Sequence, residues 1–114
     1  MRTVQVTRYT YHLFSSRDED AVVVFLYDDK DDVVGEAFFV GDGGPLPPAA
    51  DAGGRVALYF RRSQLPAVLD LLRNEGPIHL RWGGAFDTSL STEYEPIGEG
   101  EAPAAAPQVL RRTG

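Results

Sequence analysis

Two short segments constrain this chain most. Residues 21–27, AVVVFLY, and 33–40, VVGEAFFV, read as strands that are apolar on both faces. In the first, Val22, Val24 and Leu26 alternate with Val23, Phe25 and Tyr27. In the second, Val34, Phe38 and Val40 are backed by Val33, Ala37 and Phe39. The DDKDD turn between them predicts an antiparallel hairpin. Such a hairpin needs cover on two sides, because each Val, Leu or Phe left in water forfeits about 1.5–3 kcal/mol.

The rest of the chain supplies one helix to do the covering. Residues 3–14 predict a first strand, whose apolar phase passes from Val4 and Val6 to Tyr9, Tyr11 and Leu13. That change of phase predicts a bulge or bend near Arg8. Residues 41–54, GDGGPLPPAADAGG, read as a Gly/Pro-rich loop without a regular element. Residues 55–61 are a strand with Val56, Leu58 and Phe60 on one face. Ser63 is the expected N-cap of the helix, Pro66 falls in its first turn, and Leu65, Val68, Leu69 and Leu72 form its stripe. Gly76 and Pro77 end it. Residues 77–82 form a strand with Ile78, Leu80 and Trp82 on one side, and a last strand is expected within 90–97.

The expected fold is therefore α+β, in the order β-β-β-β-α-β-β. One helix packs on a curved antiparallel sheet of five or six strands. Residues 1–101 form the single domain, and the Ala/Pro-rich residues 102–114 are expected to be disordered apart from a short contact by Val109 and Leu110. The second apolar face leaves three explanations: a homodimer covers it, the sheet curls over it, or another protein does.

Charge bears on the choice of partner. Seventeen acids against eleven bases make the net charge −6, which argues against a chain coated in positive charge. The distribution is uneven, however. Residues 15–54 hold ten acids and two bases, whereas residues 55–82 hold five arginines and two acids. With no cysteine there is no disulfide, thiolate nucleophile or cysteine metal site. The N-terminus lacks the apolar core of a signal peptide, and the longest apolar run, residues 21–27, falls far short of the roughly 20 residues of a membrane helix. A soluble, cytoplasmic protein without membrane association is expected.

Motifs for chemistry are sparse. The acidic turn of Asp28, Asp29, Asp31 and Asp32 lacks the glycine and glutamate spacing of a calcium loop, and reads as a solvated turn that discourages edge pairing. SRDED at 16–20 reads the same way. Gly41, Gly43 and Gly44 precede a proline rather than a helix, so they do not make a phosphate loop. His12 and His79 have no recognisable nucleophile context, and Glu93 and Glu95 share an exposed strand face. No metal or cofactor is implied, and the chain reads as a non-enzymatic module.

One surface has a sharper reading. If Val56, Leu58 and Phe60 face the helix, Tyr59 and Arg61 point away; if Ile78, Leu80 and Trp82 are core, so do His79 and Arg81. Should these strands be neighbours, the four side chains form an aromatic and basic patch, extended by Arg8, Thr10 and His12. Bases stack on such rings while arginines follow phosphates, so single-stranded nucleic acid is one expectation for this surface. A dimer interface, also rich in Tyr and Arg, is the other.

The segment LPAVLDLLRNEGPIHLRW (65–82) with STEYEPIGEGE (91–101) resembles a pattern in small uncharacterised bacterial proteins, in which a helix, a strand and a closing EPIGEGE-type segment recur. That resemblance implies no established activity. The layout of strands followed by one helix also resembles the half-units of PUR-type and Whirly-type single-strand-binding folds. The lysine-rich strand motif of the Whirly type and the repeats of the PUR type are both missing here.

Overall fold

The computed structural model describes residues 1–18, 21–41 and 43–92. Within them the chain forms β1 (Arg2–Val6), β2 (Arg8–Leu13), β3 (Val22–Tyr27), β4 (Val33–Val40), β5 (Ala50–Ala52) and β6 (Arg55–Arg61). A 3-10 turn (Arg62–Gln64) then leads into α1 (Leu65–Asn74), followed by β7 (Ile78–Trp82) and β8 (Thr88–Thr92). The α+β class is as expected. The single curved sheet is not: the described strands form two sheets, one of order β1-β7-β8 and one of order β2-β3-β4-β6-β5.

The phase change in the first strand is where the chain passes between sheets. β1 pairs antiparallel with β7, whereas β2 pairs antiparallel with β3. Thr7 lies at the corner, its N–H donating to the Tyr27 carbonyl at 2.9 Å. A strand that serves two sheets is how sheet corners are built. It also explains why Val4 and Val6 face the core in one half of the run and Tyr9 in the other.

Three local features depart from the sequence reading. Residues 50–52 are a short edge strand, not loop, paired with β6 through a hairpin turn at Gly53 and Gly54. Their φ values of +64° and +89° match a type I′ turn, which only glycine enters without strain. In the long hairpin a bulge between Leu26 and Tyr27 and the facing strand places Tyr27 opposite Val33 and turns Val34 into the core. The inward phase of β4 is therefore Gly35, Ala37 and Phe39, with Glu36, Phe38 and Val40 outward. Finally, β4 and β6 are parallel, joined by the crossover through residues 41–54, so the sheet is not wholly antiparallel.

The N-cap of the helix is Gln64 rather than Ser63, and Gln64 Oε1 accepts the Arg61 N–H at 2.7 Å. Val68 and Leu69 of its stripe are buried, and Leu65, Leu71 and Leu72 pack partly against the core. The last described strand starts at Thr88, two residues earlier than the expected window; residues 93–114, with Glu93, Glu95 and the Ala/Pro-rich segment, lie outside the described residues.

The inner faces of both sheets and α1 share one core, with Val24, Leu26, Ala37, Phe39, Val56, Leu58 and Leu80 at 2% exposure or less. The sheets approach each other closely at Gly35. A Cβ there would lie 3.1 Å from Leu80 Cδ2, so the missing side chain admits β7 against the centre of the larger sheet. Arg2 and Asp51 then tie the two sheets together at the far end, through guanidinium–carboxylate contacts of 3.0 and 3.2 Å. No helix among the described residues is long and apolar enough to cross a membrane.

Candidate interaction surface

Inward packing of Val22, Val24, Leu26, Ala37, Phe39, Val56 and Leu58 turns the alternate residues of the five-stranded sheet outward. Register aligns them into a cross-strand row. His12 is opposite Val23, Val23 opposite Phe38, and Phe38 opposite Tyr59. Phe38 and Tyr59 stack at 5.4 Å between centroids. His12 stacks on Phe14 at 5.8 Å and meets the edge of Phe25 at 5.1 Å. Val23, between them, retains only 3% exposure, while His12, Phe14, Phe25, Phe38 and Tyr59 are half-buried. The rings shield one another, yet each keeps part of its surface in solvent.

Polar groups on this face are engaged locally. Thr10 Oγ1 lies 3.2 Å from Tyr27 Oη and 3.1 Å from His12 Nε2, a chain of hydroxyl and imidazole contacts along the sheet. Arg55 bonds Glu36 at 3.1 Å, Arg8 pairs with Asp31, and Arg61 donates to the Gly41 carbonyl at 3.3 Å. Arg17 lies over the Phe14 ring, 3.9 Å from its centroid. The acidic turn is occupied with its own backbone: Asp28 Oδ1 accepts the N–H groups of Lys30 and Asp32 at 2.9 and 3.0 Å. Those bonds, with Asp31 at φ +68°, make it a structural turn.

The anticipated patch of Tyr59, Arg61, His79 and Arg81 is divided. Tyr59 and Arg61 lie on β6 and share their outward face with Arg8 and His12 of β2. His79 and Arg81 lie on β7, in the other sheet, opposite Gln5 and Thr3 on one side and Ser91 and Ser89 on the other. With Ile78 and Leu80 in the shared core, their face points away from it on the far side. Helix α1 separates β6 from β7 in sequence and delivers the chain to the second sheet, which is why nearness in sequence did not become nearness in space. Comparison of the chain with protein-family models, curated proteins and solved structures finds no match.

Missing from the sequence reading were Phe14, Phe25 and Phe38 as members of the same surface. The signal was present in the two-faced strands, but only the register brings these rings beside His12 and Tyr59. Beside β6 a cleft of about 210 Å³ lies between residues 46–49 and the loop carrying Ala85 and Phe86, lined also by Leu58, Tyr59 and Phe60. The Ala49 N–H donates to the Ala85 carbonyl at 3.1 Å across it, and Phe86 stands 93% exposed at its rim.

Proposed function

We propose that this chain is a non-enzymatic interaction module that pairs with a second copy of itself through the outer face of its five-stranded sheet. The observation that carries the reading is the row His12, Val23, Phe38 and Tyr59, with Phe14 and Phe25 beside it, on a face where the described elements leave the rings partly in solvent. Size supports it. Five strands about 4.8 Å apart and six residues of about 3.3 Å span roughly 480 Å² of projected face. Two such faces, with side-chain relief, approach the roughly 1,200–2,000 Å² of a specific interface. Charge on the face is partly neutralised, because the Glu36–Arg55 and Arg8–Asp31 pairs carry no net charge, while Arg17 and Arg61 are also on it.

Single-stranded nucleic acid is the weaker reading. The rings are on this face, but Arg8 and Arg55 are paired with carboxylates, and His79 and Arg81 belong to the other sheet. Beside the rings Arg17 lies over Phe14 and Arg61 donates to the Gly41 carbonyl, a short cationic run for a phosphate chain to follow.

An NMR dilution series tests the choice. Self-association predicts concentration-dependent shifts at the amides of His12, Val23, Phe38 and Tyr59, with those of His79 and Ser89 unmoved. Shifts at the first set only on adding oligo-dT, weakening steeply with salt, would overturn the self-association reading.

A further inference from the structure

The loop that flanks the aromatic face has a conformation of its own. Its residues 45–48 read PLPP. Proline fixes φ near −65°, and a residue preceding proline is driven to extended ψ, so Pro47 is confined to the polyproline II region and Leu46 to extended backbone. Burial has the matching period. Leu46 and Ala49 are half-buried, whereas Pro45, Pro47 and Pro48 are exposed. Three residues per turn is the repeat of the polyproline II helix, so Leu46 and Ala49, three apart, share its more buried side. Leu46, Pro47, Pro48 and Ala49 all line the cleft beside Leu58, Tyr59 and Phe60, and the Ala49–Ala85 hydrogen bond anchors the end. The segment thus extends the edge begun by β5, alongside β6, with Pro45, Pro47 and Pro48 exposed.

We propose that this segment is the docking element of the self-association: Pro47 and Pro48 of one copy seat on the His12, Phe14 and Phe25 cluster of the other. The inference rests on the self-association reading above. Polyproline II segments dock on aromatic-lined surfaces because they are pre-ordered and lose little entropy on binding. Both halves of that recognition are present in this chain, at opposite edges of one face. The cluster belongs to β3 and to β2 with the residue that follows it, Phe14, and the proline segment lies beyond β6.

Symmetry brings the two together. A two-fold axis lying between facing sheets and parallel to the strands keeps each cross-strand row at its own height and reverses its direction. The β2 edge of one copy then meets the β6 edge of the other, so Phe38 packs near the centre and each proline segment crosses onto the other copy's rings. The contact is isologous and made twice, so it closes as a dimer. An axis across the strands would set β2 against β2 and leave both proline segments without rings to cover.

Because the natural chain has no cysteine, single-cysteine variants report the arrangement directly. Ser15→Cys places a thiol next to Phe14, and Pro45→Cys places one at the start of the proline segment while leaving Pro47 and Pro48 intact. The two variants are mixed at micromolar concentration and treated with a short bis-maleimide. The proposal predicts a mixed cross-linked species near 25 kDa, twice the 12.5 kDa chain, and little product from Ser15→Cys alone. A Pro47→Ala, Pro48→Ala variant should weaken the pair about tenfold with its monomer circular dichroism unchanged. Strong cross-linking of Ser15→Cys to itself overturns the arrangement. Absence of the mixed product while light scattering still reports a dimer overturns proline docking and leaves face-to-face pairing standing. A monomer by light scattering overturns both.

Discussion

Gly35 faces Leu80 between the two sheets, and a double-mutant cycle reads the contact out. A Cβ at Gly35 would lie 3.1 Å from Leu80 Cδ2, 3.1 Å from Leu26 Cδ1 and 3.4 Å from Leu58 Cδ1, while Leu80 and Leu58 are each 2% exposed. Carbon pairs prefer about 3.5–4.0 Å, so Gly35→Ala must push Leu26 and Leu80 aside by a few tenths of an ångström each. Overpacking of this kind costs about 1–3 kcal/mol. The reduced freedom of the unfolded chain returns about 0.4–1 kcal/mol. The net expectation is about 0.5–2 kcal/mol of destabilisation. Leu80→Ala alone removes three carbon groups at about 0.8 kcal/mol each and leaves part of the space empty, for about 3–4 kcal/mol in all. In the double variant the new methyl enters the space left by Leu80, so its cost should be below the sum by about 1 kcal/mol. Urea denaturation of the four proteins at equal m-value measures it. Additive losses, or a Leu80→Ala loss under about 1.5 kcal/mol, would refute the inference that β7 packs on the larger sheet through this glycine.

Other elements yield shorter tests. Asp28→Ala removes the acceptor of two backbone N–H groups and should cost about 1–2 kcal/mol in the same denaturation assay. Gly54→Val forces a branched residue into φ +89° and should lower stability by about 1–2 kcal/mol, with early hydrogen exchange at β5. Asp51 gives a pH dependence: the hydrogen bond from Arg2 holds its carboxyl below the ordinary value of 3.8. Its contribution is therefore present above the unfolded value and is lost as pH falls through the lower folded one. The stability difference between wild type and Asp51→Asn should be level at neutral pH and vanish in strong acid; a difference that grows on acidification would contradict the pairing.

Much of the fold was legible because it is written in local pattern. Period-two alternation marks β6 and β7, and the i, i+3, i+4 stripe marks α1. The bend near Arg8 was legible as a change of phase, but its meaning depends on pairing: the two halves serve β7 and β3, which lie far apart in sequence. The edge strand Ala50–Ala52 was hidden because Ala and Asp have little strand preference, although Gly53 and Gly54 are a recognised hairpin signal. The surface was half legible. Arg8, His12, Tyr59 and Arg61 do share a face, since alternation within a strand is local. Placing His79 and Arg81 beside them assumed that β6 and β7 are neighbours, and sheet membership is a non-local property.

The central claim, that the outer aromatic face binds a second copy, is tested most directly by solution mass. Light scattering at micromolar concentration should give about 25 kDa for the wild-type chain and 12.5 kDa for Phe38→Asp, which buries a charge at the centre of the proposed contact. A wild-type mass of 12.5 kDa across that range, or a Phe38→Asp protein that pairs as well as wild type, would contradict it.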